Sequence, residues 1–248
     1  MKIPEALAQG LQTLKLHQMA ELLPAALQEA AQKAWTHTDL LKYLVSAEVA
    51  ARETRALERR LRRGRLPQIK TLEDYDFNFP QRIPKQRLLD YFTCDFIPRH
   101  ENLILVGNQG VGKTHLLTAL GYTACRRGFS VRFTRVIDML TNLIRAQQNG
   151  LLGRALEPYK RPALLLLDEL GYLPVDKRGA DLLFQVVAAR FETGSIVLTT
   201  NRVFKDWGAI LDADPTLASA LLDRLVHHGE ALQIKGESYR LRKRSLDS

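Results

Sequence analysis

Apolar residues recur along this chain at two different spacings, and the change between them divides it. Leu7, Leu11, Leu14, Met19, Leu22 and Leu23 are followed by Leu40, Leu41, Leu44, Val45, Val49, Leu57 and Leu61. These spacings of three to five predict amphipathic helices through residue 66. Thr38-Asp39 is the expected cap of the second helical segment. The stretch LPQIKTLEDYDFNFPQRIP then brings Pro67, Pro80 and Pro84, with Tyr75, Phe77 and Phe79 alternating. Proline disfavours helix at the residue before it, so this stretch reads as an extended arm. Beyond residue 85 short apolar runs alternate with helical segments. The strands are expected at 102–107, 130–135, 163–169, 195–201 and 231–234. The helices between them are expected at Lys113–Arg127, at 136–160 in two pieces broken near Asn149-Gly150, and at Gly179–Glu192. Strands separated by helices predict a parallel sheet covered on its faces. The expected organisation is therefore a helical domain at 1–66, an arm at 67–84 and an α/β domain at 85–248.

The residues that carry chemistry sit at the ends of those strands. Gly107-Asn108-Gln109-Gly110-Val111-Gly112-Lys113-Thr114 fits the phosphate-binding pattern G-x-x-x-x-G-K-[ST], preceded by a strand and followed by a helix. Glycine lets the backbone bend so that successive N–H groups face an anion, and the new helix adds its positive end. Lys113 is expected to reach the outer phosphates of a nucleotide, and Thr114 to offer its hydroxyl to Mg²⁺. His115 closes this segment, its ring expected against the sheet. Asp168 and Glu169 end a run of leucines. A carboxylate at such a strand end holds Mg²⁺, and the adjacent glutamate is placed to polarise an attacking water. Asn201 closes SIVLTTN, where it either forms a turn or orients that water or senses the outer phosphate.

Charge adds a second theme. Lysine and arginine number 36 against 27 acids, a formal net charge of +9, which points to a polyanionic partner. Arg52, Arg55, Arg59, Arg60, Arg62, Arg63 and Arg65 fall within fourteen residues, and Arg240, Arg242, Lys243 and Arg244 form a second cluster. The first cluster and the helical region with Arg135, Arg145, Arg154, Lys160 and Arg161 are the candidate DNA contacts; a solvated face or a protein-docking strip is the competing reading. Two cysteines, Cys94 and Cys125, build no disulfide framework. With neither a signal core nor a membrane-length apolar run, the chain is expected to be cytoplasmic, with reduced thiols.

The phosphate loop, the Asp-Glu strand end and the asparagine strand end, in this order, resemble Walker A, Walker B and sensor of the AAA+ ATPases. That resemblance implies a sensor strand lying between the other two. The segments LLLLDELGYLPVDKRGADLLFQVVAARFETGSIVLTTNRVFKDWG and LLDRLVHHGEALQIKGESYRLR, with LKLHQMAELL, RRLRRGRLP and TLEDYDFNF, resemble the IstB family, the ATP-binding helpers of IstA/IstB-type insertion sequences. The wider clade includes DnaC-type helicase loaders and DnaA initiators. The resemblance implies an ATP- and Mg²⁺-dependent ATPase that assembles as a ring or helix on double-stranded DNA and recruits or stimulates an IstA-like transposase. It places an arginine finger, acting on a neighbouring subunit's ATP, at Arg224, with Arg190 as a substitute. Because 24 residues follow Arg224, no C-terminal helical lid is expected. A DnaC-type loader is the alternative, and a P-loop kinase a more distant one. His227-His228 is read as a structural pair or a DNA or Mg²⁺ contact. The aromatics of the arm are read as packing on the core, flanking adenine or docking a neighbour.

Overall fold

The computed structural model describes residues 3–212 and 214–239, so the basic cluster at 240–244 lies outside the described residues. The chain forms two compact units, one through Arg59 and one from Arg60.

The first unit holds α1 (Glu5–Thr13), α2 (His17–Gln32) and most of α3 (His37–Gly64), the boundary falling inside α3. Leu11, Leu23, Ala26 and Leu44 are its buried core. The cap of α3 is Thr36 rather than Thr38: the Thr36 hydroxyl accepts from the Asp39 N–H at 3.2 Å, and Asp39 accepts from the Thr36 N–H at 3.1 Å. This reciprocal pairing satisfies donors at the helix start. Glu48, 3% exposed, reaches from α3 to the start of α2 and accepts from the N–H groups of Gln18 (2.7 Å) and Met19 (3.1 Å). Arg52 and Arg55 pair with the same carboxylate at 2.9 and 3.2 Å.

Burial pushes the Glu48 carboxyl up, but the hydrogen bonds from Arg52, Met19 and Gln18 outweigh it, so its pKa lies below the ordinary 4.5. A carboxyl depressed on folding contributes stability above its unfolded pKa and loses it as pH falls through the folded value. We expect the helices of this unit to melt more easily as pH drops below 4.5. Glu48→Gln should flatten that acid limb, read by denaturant titration of the far-ultraviolet circular dichroism between pH 3 and 7.

The second unit carries α4 (Lys85–Tyr91), β1 (Asn102–Gly107), α5 (Lys113–Arg126), β2 (Val131–Arg135), α6 (Val136–Gln148), α7 (Leu152–Lys160), β3 (Leu164–Leu170), α8 (Lys177–Arg190), β4 (Ser195–Thr200), α9 (Trp207–Ile210), α10 (Pro215–His227) and β5 (Gly229–Ile234). The strands pair in parallel in the order β2-β3-β4-β1-β5, so β4 lies between β1 and β3 as the resemblance implied. Alternate residues divide the faces. Ile104, Val106, Leu165, Leu167, Ile196 and Leu198 join the core made with α6, α8 and α10. The opposite face meets α5, where Gly121 allows a close approach: a Cβ there would stand 2.5 Å from Leu166 Cδ1. α8 begins two residues earlier than expected, because Asp176 caps it by accepting from the Gly179 N–H at 2.9 Å.

Arg190 is 1% exposed and donates to the carbonyls of Tyr159, Lys160, Pro162, Ala163 and Ser195. Burial lowers its pKa to about 10. This guanidinium ties the entrances of β3 and β4 together and cannot extend to a neighbour's nucleotide, which removes it as a substitute finger. Cys94 and Cys125 are buried thiols whose pKa burial raises to about 11. Among the described residues, no helix is long and apolar enough to cross a membrane, and no helical bundle follows β5.

Candidate functional site

Because β1, β3 and β4 run parallel, their C-terminal ends open on one side of the sheet. A cavity of ≈ 620 Å³ lies there. It is lined by Gln109–His115 from the loop after β1, by Glu169 from β3, and by Thr199, Thr200 and Asn201 from the end of β4. Three motifs remote in sequence thus meet at one place. Gly107 and Asn108 lead into the loop.

The loop turns at Gly110 (φ 78°) and Gly112 (φ 94°), both in the left-handed region where a side chain is strained. A Cβ on Gly112 would also stand 2.6 Å from the Tyr75 ring. Gly112 then caps α5, whose first residues are Lys113, Thr114 and His115. Lys113 Nζ donates to the carbonyls of Gly107 (2.6 Å) and Asn108 (2.7 Å), which holds the ammonium over the loop.

Behind the loop the Asp168 carboxylate is 3% exposed. It accepts from the Thr114 hydroxyl at 3.1 and 3.0 Å, and from the Thr199 hydroxyl at 2.5 Å. Glu169 differs from its neighbour: it is exposed and has φ 65°. The β3–β4 register shifts here, Leu167 pairing with Leu198 but Leu170 with Thr200. The extra residue is a bulge, which is uncommon in parallel pairs and turns a side chain out of the strand's alternation. Asn201 lines the cavity, and its Oδ1 is buried without a hydrogen-bond partner.

The arm completes the site. From Arg60 to Tyr75 the chain runs back along α5. Arg60 Nε donates to the Cys125 carbonyl (2.8 Å), Leu66 sits against Gly121, His115 Nε2 lies 2.9 Å from the Thr71 carbonyl, and the Tyr75 hydroxyl donates to the Val111 carbonyl (3.1 Å). Since a carbonyl only accepts, His115 carries its proton on Nε2 in this bond. The expectation that His115 packs on the sheet is corrected: its ring stacks edge-on with Tyr75, at 5.5 Å between centroids. Burial, then Asp76, raises the Tyr75 phenol to about 12, so it remains a donor. Phe79 meets Tyr239 edge-on at 4.8 Å, and the Tyr239 N–H donates to the Gly110 carbonyl at 3.0 Å. Lys70, Asp74, Tyr172 and Tyr239 also line the cavity, none of them singled out by motif.

Arg224 does not line this cavity. Its guanidinium stacks 4.6 Å over the Phe184 ring and donates to the Ala220 carbonyl at 2.9 Å. His227 and His228 meet edge-to-face at 4.4 Å, with Glu192 3.7 Å from His228, and neither lines the cavity. Of the arginine cluster, Arg52 and Arg55 are held by Glu48 and Arg60 by Cys125. Arg59, Arg62, Arg63 and Arg65 are exposed, as are Arg145 and Arg154. Arg135 pairs with Asp138, and Lys160 and Arg161 with Glu157.

The family model described as IstB-like ATP binding protein matches residues 9–247. The chain is 38% identical over 233 residues to the ATP-binding protein of insertion sequence IS5376 from Geobacillus stearothermophilus, covering 94% of this chain and 92% of that one. It is 40% identical over 234 residues to the ATP-binding protein of insertion sequence IS21 from Pseudomonas aeruginosa, covering 94% and 88%. Its fold is similar to AMPPCP-bound DnaA from Aquifex aeolicus, with a TM-score of 0.58 at 22% identity, over 74% of this chain and 56% of that one.

Proposed function

The chain belongs to the family of IstB-like ATP binding proteins, and from that premise we propose that it is a Mg²⁺-dependent ATPase that assembles on duplex DNA and assists an insertion-sequence transposase. The observation that carries the reading is the convergence of the loop from Gln109 to His115, Glu169 and Asn201 on one cavity, with Asp168 bonded to Thr114 behind the loop. The loop from Gly107 to Thr114 cradles the phosphates, and Lys113 neutralises the outer ones. Thr114 and Asp168 supply the hard oxygen ligands that Mg²⁺ prefers. Mg²⁺ held there would draw charge from the phosphate oxygens. Glu169 takes the proton from the attacking water, and the unpartnered Asn201 Oδ1 orients that water or the outer phosphate. His115 and Tyr75 keep the loop in shape.

Arg224 stands outside its own chain's cavity, which suits a finger acting on a neighbour's ATP. The relatives named above are insertion-sequence proteins matched over nearly their full length, which favours a transposition helper over a helicase loader. Arg59, Arg62, Arg63, Arg65, Arg145 and Arg154 are exposed and follow the phosphate backbone without reading sequence.

The test is phosphate release and particle mass, each with and without ATP and duplex DNA. ATP and DNA together should give large particles and the fastest release; a monomer under all conditions would overturn the assembly. Changing Arg59, Arg62, Arg63 and Arg65 together to Gln should weaken DNA binding on all sequences alike. The log–log salt slope should flatten by about 0.9 per lost phosphate contact. ATP affinity should not change. An unaltered salt slope would assign these arginines to solvent or to a protein partner.

A further inference from the structure

Thr199 carries a role that its position inside a strand conceals. It is 1% exposed, and in β4 it stands opposite the bulge of β3, between the pairs Leu167–Leu198 and Leu170–Thr200. A bulge sets two residues against one on the partner strand and breaks the ladder there. The two residues are Asp168 and Glu169, and the one facing them is Thr199. Its single hydroxyl serves both. Its proton goes to Asp168 Oδ1 at 2.5 Å, and its oxygen accepts the Glu169 N–H at 2.9 Å. The second bond satisfies a backbone donor at the irregular point of the ladder, where Glu169 has φ 65°. For a non-glycine residue such a backbone persists only when its surroundings hold it.

We propose that Thr199 is the positioning residue of the hydrolytic site: through one hydroxyl it orients the Asp168 carboxylate toward Thr114 and holds the Glu169 backbone in the conformation that turns its carboxylate into the cavity. The proposal rests on the reading of Glu169 as the base and Asp168 as a Mg²⁺ ligand. In this role Thr199 acts through the two acids. Without the hydroxyl, Asp168 loses its Thr199 bond and keeps that to Thr114, and the Glu169 N–H loses its acceptor.

Thr199→Val keeps the branched shape and removes the hydroxyl, whereas Thr199→Ser keeps the hydroxyl and removes a methyl group. Groups that orient ligating residues typically affect metal affinity or activity by ~10–100-fold. Thr199→Val should therefore lower kcat for ATP hydrolysis by a factor in that range. It should also raise the Mg²⁺ concentration needed to tighten binding of a fluorescent ATP analogue, while affinity for the analogue without Mg²⁺ is unchanged. Thr199→Ser should restore both. Glu169→Gln, measured alongside, separates the two levels of the argument. If Glu169→Gln abolishes hydrolysis but Thr199→Val does not reduce it, the role of Thr199 is overturned and the base stands. If Thr199→Ser is as impaired as Thr199→Val, the hydroxyl is not the cause and the proposal falls. Should Glu169→Gln hydrolyse ATP normally, the base assignment and the role of Thr199 fall together.

Discussion

Glu169→Gln is expected to bind ATP as the unaltered chain does and to hydrolyse it ~10²–10⁴-fold more slowly, the usual loss when an acid–base group is removed. The substitution keeps the shape of the side chain and removes its capacity to take a proton. It should leave the local structure intact, because the bulge is held by the Glu169 backbone N–H and the Thr199 hydroxyl rather than by the carboxylate. The side chain is exposed, so the amide creates no buried unpaired group. Assemblies formed with ATP on DNA should then persist, since the step that would dissolve them is blocked. Single-turnover phosphate release, together with nucleotide titration, measures the two effects separately. Turnover near that of the unaltered protein would remove Glu169 from the role of base.

Lys113→Ala is expected to abolish ATP binding and every ATP-dependent step while the chain remains folded. The ammonium is the positive side chain held on the loop, bonded to the carbonyls of Gly107 and Asn108. Its loss leaves the outer phosphates without that charge. The core has no need of it: the sheet faces beneath are built from leucine, isoleucine and valine that do not involve Lys113. The circular dichroism spectrum should thus be native, and titration with a fluorescent ATP analogue should show no saturable binding. Unchanged affinity would dismiss the loop as a phosphate site. DNA binding by the exposed arginines without nucleotide should survive in this variant.

Much of this site was legible in the chain because its parts are local. A glycine at positive φ, a lysine at a helix start and acids after a leucine run each report a short stretch of backbone. The helical and extended periods likewise report local burial, so all five strands were placed within about two residues. Where expectation missed, the cause was a capping side chain at a helix start or a partner far along the chain. Asp176 caps α8 through a side-chain bond that periodicity does not register. The true cap of α3 is Thr36, two residues before the expected one. His115 was assigned to the sheet, but the arm from Thr71 to Tyr75 supplies its partners.

The arginine cluster makes the same point from charge. In sequence its seven members are equivalent. Folding ties Arg52 and Arg55 to Glu48 and Arg60 to the end of α5, and leaves Arg59, Arg62, Arg63 and Arg65 exposed. By itself, the sequence determined the elements, their parallel arrangement and which strand ends carry the candidate loop and acids. These follow from periodicity and from backbone preferences that act within a few residues. Only the tertiary structure decided that Thr199 serves both acids, that Tyr75 braces the loop, that Arg190 is buried and that Arg224 stands outside its own cavity. Each of these is a hydrogen bond or an exclusion between residues far apart in the chain, set by strand register and by which buried polar groups must find partners.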